Sequence, residues 1–286
     1  MTPFDSGSTI DEILATIADT SSDVREGLVE DRTVSAETNP SGETQMAADI
    51  RADELFEDAV LANDDVGTYA SEERADPIDG GDGAYHVAMD PLDGSSNLRS
   101  NNAMGTIFGV YTERPPASGR DLVASGFVLY GPITTMIVAR DDEVTDYLLE
   151  KENPQVLAED VTLPDDPTVF GFGGDVPNWP EDFLDFAREI EQELKLRYGG
   201  AMIADINQLL TYGGIFAYPG LKEKPEGKLR LQFEGNPIAH VFEAAGGASS
   251  TGDGSILDTE AESLHQRAPM HVGNAELIER LEAALD

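Results

Sequence analysis

No cysteine occurs in the 286 residues, which removes disulfides, thiolate nucleophiles, iron–sulfur clusters and cysteine-ligated zinc from consideration. Basic residues are scarce, 18 Lys and Arg against 56 Asp and Glu, and the net charge of −38 repels nucleic acid and anionic membranes rather than binding them. Only Lys151, Lys195, Lys222, Lys224 and Lys228 are lysines, so any of them beside a site matters. The four histidines, His86, His240, His265 and His271, show no H-E-x-x-H or other zinc spacing, and structural roles are expected of them. No apolar run approaches the ~18 residues of a membrane span, and Met1–Ile10 lacks the basic-then-apolar pattern of a secretion signal. A cytoplasmic protein without membrane or nucleic-acid partners is expected. So large an acidic excess also suggests a salt-rich cytosol, because the Debye length shrinks to about 3 Å at 1 M salt and the self-repulsion is screened.

What is present suits an α/β protein of one large domain or two halves, with 40% of residues hydrophobic. Ile10, Ile13, Leu14, Ile17, Val24 and Leu28 recur at helical spacing, and 46–61 gives a second amphipathic helix. Strands are predicted at 84–90, 104–112, 121–130 and 133–140. An acidic, proline-bearing stretch from Glu150 to Pro167 marks a boundary, dividing the chain at 160/161. Beyond it come a strand at 168–172, a helix carrying Phe183, Phe186, Ile190 and Leu194, a helix at 201–210 and strands near 213–218 and 228–234. Helices at 237–245 and from an Asn274 N-cap to Leu285 complete the chain.

The densest chemistry lies in Asp90-Pro91-Leu92-Asp93-Gly94-Ser95-Ser96-Asn97. Asp90 ends a short apolar strand, where α/β sheets place ligands. Pro91 and Gly94 predict a turn that faces both carboxylates into one cavity, while Ser95, Ser96 and Asn97 offer hydroxyls and N–H groups at a helix start suited to phosphate. Ser71-Glu72-Glu73 follows another strand end; it suits a metal ligand and a water-activating base, though alone it would read as a solvated charge pair. Glu234 stands at a strand-to-helix junction. Asn39 to Asp49 forms a polar loop running into a helix, either a mobile flap or a connector.

Together these pieces resemble class I fructose-1,6-bisphosphatases. The resemblance rests on Ser71–Glu73, Asp90–Asn97, Met104-Gly-Thr-Ile-Phe-Gly109, Arg197-Tyr198, Tyr212-Gly-Gly-Ile-Phe216, Tyr218-Pro219, Gly227-Lys-Leu-Arg-Leu231, Glu234, Asn236-Pro237, Glu243-x-Ala-Gly-Gly247 and His265-Gln-Arg-Ala-Pro269, in the family's order. It implies a layered α-β-α-β-α sandwich, with a metal-binding half at 1–160 and a sugar-phosphate half at 161–286. It also implies hydrolysis of the 1-phosphate of fructose 1,6-bisphosphate in gluconeogenesis. Glu72, Asp90, Asp93, Glu234 and the Leu92 carbonyl would hold Mg²⁺, or Mn²⁺, and Glu73 with Asp49 would act as base. Gly94, Ser95 and Ser96 would receive the reacting phosphate. Tyr198, Tyr218 and Lys228 would meet the remote one, joined by Arg197 from a neighbouring subunit of a homo-oligomer, dimer or tetramer.

Three departures from the family pattern stand out. Glu43 replaces an Asp of the mobile loop, Gly171-Phe-Gly-Gly174 lacks the Asn and Tyr that usually help hold the 6-phosphate and offers only N–H groups, and Ala84 replaces the Lys of AMP-regulated members. Inositol-monophosphatase-like or sedoheptulose-bisphosphatase activity is the neighbouring alternative, although the inositol enzymes carry Trp-Asp where this chain has Phe233-Glu234. A sugar-phosphate sensor without turnover is the non-enzymatic one.

Overall fold

The computed structural model describes residue 4 and residues 7–30, 34–40, 44–149 and 154–285, without the side chains of 34–38 and 44; Glu43 and Lys151 lie outside the described residues. Strands β1 (Val34–Thr38) and β2 (Thr44–Met46) pair as an antiparallel hairpin between helices α1 (Thr9–Gly27) and α2 (Ala47–Val60). Strands β3 (Val66–Ser71), β4 (Ile78–Asp79), β5 (Tyr85–Asp93), β6 (Met104–Tyr111), β7 (Leu122–Tyr130), β8 (Thr134–Arg140), β9 (Glu143–Leu148) and β10 (Gln155–Ala158) build an eight-stranded sheet. Their order is β10-β9-β8-β7-β6-β5-β3-β4. A second sheet, of five strands, runs β12-β11-β13-β15-β14. It takes β11 (Val169–Phe172), β12 (Lys195–Leu196), β13 (Gly214–Tyr218), β14 (Ala248–Ser250) and β15 (Met270–Gly273), interleaved with α3 (Glu181–Glu193), α4 (Met202–Tyr212), α5 (Asn236–Ala244) and α6 (Ala275–Leu285).

Strand periodicity sorts the apolar side chains into three cores. Val87, Met89, Phe108, Val128 and Val138 face α1 and α2. Their neighbours Ala88, Ile107, Phe127 and Ile137 face the opposite way, onto α4 and α5, which also receive Val169 and Phe216 from the second sheet. Phe170, Phe172 and Ile215 turn outward onto α3 and α6. The result is an α-β-α-β-α sandwich in which helices cover both faces of the large sheet, which explains why its strands read as nearly continuous apolar runs.

Three local expectations are corrected. Residues 228–234 are not a strand: after a single bridge from Arg230 to Arg267, residues Leu231–Gly235 form a π-helical turn leading into α5. Alternation of Leu229, Leu231 and Phe233 imitates a strand, but the Gly235 N–H closes back on the Arg230 carbonyl at 2.9 Å. The expected turn at Pro91 is absent as well; β5 continues to Asp93 with a register break between Asp90 and Asp93, and the chain turns at Gly94, in left-handed geometry with φ of 75°. Third, the acidic stretch after Glu150 contains the edge strand β10, whose residues are all exposed.

Candidate active site

Parallel pairing of β3 with β5 sets Ser71 opposite Met89, so β3 ends where β5 reaches Asp90. The Glu72 N–H donates to the Met89 carbonyl at 3.0 Å, which places Glu72 beside Asp90. Asp90 Oδ1 accepts from the Leu92 N–H at 3.0 Å, shaping the register break. The π-helical turn brings in the third carboxylate, since Glu234 Oε2 accepts the Arg230 N–H at 2.6 Å and its chain is thereby folded back into the cleft. Glu72, Asp90 and Glu234 are buried, with one ligand oxygen of each within 4.8 Å of the others.

Three carboxylates so close and so dry repel one another. Burial, then the charge of Glu72, raises Glu234 to about 8, and burial followed by Glu72, Asp93 and Glu234 pushes Asp90 well above the usual carboxylate range. A set of hard oxygen donors in this state is satisfied by a divalent cation, and the donor chemistry fits Mg²⁺, Mn²⁺ or Ca²⁺ better than softer metals. Asp93 stands beside the group of three rather than within it; its Oδ2 accepts the Ile203 N–H at the start of α4, 2.8 Å away. Burial and then Glu234 raise it to about 7, against the pull of that hydrogen bond.

Asp49 and Glu73 face the same cleft from α2 and from the turn after β3. Asp49 closes the start of α2 by accepting the Met46 N–H at 2.6 Å; burial lifts it to about 6, with that bond and one from Ser95 opposing. Glu73 rises to about 7, through burial first and the Asp49 charge second, although Gln45 donates to its Oε2. Two neighbouring acids poised near neutrality are suited to proton transfer. Asn39, Gln45, Leu92, Gly94, Ser95 and Ser96 complete this side of a cavity of about 290 Å³, and the motif continues as a short 3-10 helix, Ser95–Leu98.

Tyr198, Tyr218 and Lys228 also line it, and they form the junction with a second cavity of about 720 Å³. Lys228 Nζ lies 6.0 Å over the Tyr218 ring, and Lys224 lines the second cavity too. Within the glycine turn the Gly173 N–H is taken by the Ala217 carbonyl at 2.9 Å and a Cβ on Gly173 would meet the Tyr218 ring at 2.2 Å, while Gly174 lines the second cavity. Arg197 is exposed, points one N–H back to the Leu196 carbonyl at 3.1 Å, and is not among the residues lining either cavity.

Sequence reasoning passed over two residues of this cleft. Arg230 is 3% exposed and its Nη1 sits 2.6 Å from Glu72 Oε1; its position two residues beyond Lys228, on the same side of an extended segment, was the available signal. Asp205, on α4, accepts the Gly199 N–H at 2.6 Å and is raised to about 7, chiefly by burial. It sat inside a helical pattern and carried no signal of its own.

Carboxylates gathered from the end of β3, from β5 and from the π-helical turn could hold a metal ion, and with hydroxyls beside them on a five-layer α/β scaffold they have the chemistry of the metal-dependent phosphatases. Comparison with known proteins is more specific. Residues 8–157 match the family model described as "Fructose-1-6-bisphosphatase, N-terminal domain" and residues 163–286 that of the C-terminal domain. The chain is 58% identical to a class 1 fructose-1,6-bisphosphatase of Haloarcula marismortui, over 97% of this chain and 95% of that protein. With the class 1 enzyme of Natronomonas pharaonis it shares 60% identity, over 96% and 98% respectively. It superposes on the crystal structure of the Leishmania major fructose-1,6-bisphosphatase in holo form with a TM-score of 0.93 at 25% identity, covering 100% of this chain and 98% of that one. The chain belongs to the class 1 fructose-1,6-bisphosphatase family and is a phosphoric monoester hydrolase.

Proposed function

We propose that this protein hydrolyses the 1-phosphate of fructose 1,6-bisphosphate, releasing fructose 6-phosphate and inorganic phosphate, as a cytoplasmic step of gluconeogenesis. The carrying observation is a single cleft with two chemically different ends, buried carboxylates at one and Lys228 with Tyr198 and Tyr218 at the other. Glu72, Asp90, Asp93, Glu234 and the Leu92 carbonyl would hold Mg²⁺, with Mn²⁺ as a substitute. When bound, the metal supplies positive charge for phosphoryl oxygens and lowers the pKa of a water. Glu73, steadied by Gln45 and coupled to Asp49, accepts the attacking water's proton. Gly94 turns the chain so that the Ser95 and Ser96 hydroxyls reach the phosphoryl oxygens, and Lys228 meets the remote phosphate as a point charge.

Metal chemistry is assigned mainly to residues 1–160 and sugar-phosphate binding to 161–286, with Glu234 crossing that division. The outward placement of Arg197 beside the exposed Leu196 supports a homo-oligomer, dimer or tetramer, in which Arg197 enters a neighbour's cleft. Mixed oligomers of Arg197→Ala and Glu234→Gln chains should then regain activity, and inactive hybrids would place both residues' work within one chain.

Phosphate release measured across fructose 1,6-bisphosphate, sedoheptulose 1,7-bisphosphate and inositol 1-phosphate tests the substrate. The fructose ester should give the highest kcat/KM, and a preference for inositol 1-phosphate would overturn the assignment.

A further inference from the structure

The turn that carries Glu72 and Glu73 is anchored from behind by charges outside the cleft. Helix α2 presents Asp49 to the cleft, and Asp53 and Glu57 follow at intervals of four residues, one and two turns along the same face. Arg74, the residue after Glu73, takes both of these carboxylates. Its Nε lies 2.6 Å from Asp53 Oδ2, and its Nη2 pairs with Glu57. The other Asp53 oxygen accepts from the Tyr69 hydroxyl at 3.1 Å, and Tyr69 stands on β3 just before the turn.

A second anchor comes from the other half of the chain. The Arg74 carbonyl accepts from His265 Nε2 at 2.7 Å, which sets the tautomer of that ring, and the ring itself lies 5.3 Å from that of Phe233, the neighbour of Glu234. Within the turn, the Glu73 N–H donates to Ser71 Oγ at 3.2 Å. Asp53 is 5% exposed and the Arg74 side chain 30%, so salt that screens surface charges reaches this pair poorly. With Asp53 buried, Arg74 partly so and both fixed by further partners, the arrangement differs from a surface ion pair that merely decorates a helix.

We propose that the Asp53–Arg74 pair positions the metal centre. It locks the 71–74 turn against α2, so that Glu72 is held towards Asp90 and Glu234 while Glu73 is held towards Asp49. Neither residue touches substrate or metal; both act through Glu72 and Glu73. Because α2 carries Asp49 as well, one rigid unit sets the base and a metal ligand together. The inference rests on the metal-dependent phosphatase reading above and goes beyond it by adding residues that no part of the cleft chemistry requires.

The test compares the full-length wild type with Asp53→Asn, Arg74→Gln and the double variant in molar KCl. Calorimetric titration of EDTA-stripped protein with Mn²⁺ gives metal affinity independently of turnover, alongside KM for fructose 1,6-bisphosphate at saturating metal. Each single variant should weaken metal binding by ~10–100-fold, as groups that orient metal ligands do, with KM within about twofold. The double variant should lose little more than either single one, because the pair acts as a unit. Wild-type metal affinity in the single variants, or losses that add fully, would overturn the positioning role. Should Asp53→Asn not fold, Arg74→Lys keeps the charge and loses the planar fork, and unchanged Mn²⁺ affinity there would overturn the proposal equally. A wild type that binds no Mn²⁺ would instead overturn the metal-centre reading itself.

Discussion

Glu73 is the residue on which the proton chemistry turns. Its folded-state pKa is raised to about 7, so it is protonated at acid pH and becomes a competent base only as pH rises through neutrality. The kcat profile should therefore climb across that range, and the climb should move to lower pH as bound metal adds positive charge nearby. Glu73→Gln should lower kcat by about 10²–10⁴-fold and flatten the acid limb, as loss of a general base does; an unchanged limb in the variant would assign the titration elsewhere. At this scale much of the cleft was legible. Glu72 and Glu73 follow β3, Asp90 lies near the end of β5 and Glu234 just precedes α5, and the structure brings all four to one cleft. Arg230 escaped because its charge is consumed by Glu72 within the fold, and Arg197, named only through the motif resemblance, does not line the cleft of one chain.

Elements explain why the motif works in the place it does. Gly94 adopts φ of 75°, and a Cβ there would lie 2.2 Å from the Ala201 Cβ. The turn after β5 is thus pressed against the start of α4, where Asp93 accepts the Ile203 N–H and Asn97 Nδ2 donates to the Gly199 carbonyl at 2.9 Å. Gly94→Ala should lower kcat at least ~10-fold and cost roughly 1–2 kcal/mol from backbone conformation alone. Pairing it with Ala201→Gly, which removes the steric partner, should restore part of the activity but not the conformational part of the stability. Equal activity in the single and double variants would show that contact to be irrelevant. Helices and buried strands were readable because their apolar periods are long. The π-helical turn was not, because Leu229 to Phe233 alternate like a strand, and only the closure of Gly235 and Glu234 onto Arg230 makes the turn. Strand β10 hid in an acidic stretch because an exposed edge strand needs no apolar face.

The whole molecule carries a net charge of −38, of the same sign as its substrate and as most of its own cleft. In dilute buffer this charge opposes both compaction and the approach of a sugar bisphosphate; in molar salt the field collapses to a few ångströms. Dialysis from 2 M to 0.1 M KCl should lower the melting temperature and raise KM, in keeping with relatives from Haloarcula and Natronomonas. A salt-independent melting curve would remove the halophilic account. The cleft adds a pH term of definite sign. Asp49, Glu73 and Glu234 have folded-state pKa values raised to about 6, 7 and 8. Without metal their contribution to stability is complete below the unfolded carboxylate range, near pH 4, and is lost as pH rises through those values. Mg²⁺ should therefore stabilise the protein more at pH 8 than at pH 5, because protons compete with it for the same oxygens.

The central claim is that buried carboxylates make this fold a metal-dependent 1-phosphatase. Its most direct test is phosphate release from fructose 1,6-bisphosphate by EDTA-stripped protein in 2 M KCl at pH 8, titrated with Mg²⁺, with the sugar product identified. The account predicts no turnover without metal, saturable activation, fructose 6-phosphate as product, and loss of the response in Glu234→Gln. Turnover that ignores Mg²⁺, or fructose 1-phosphate as the product, would contradict it.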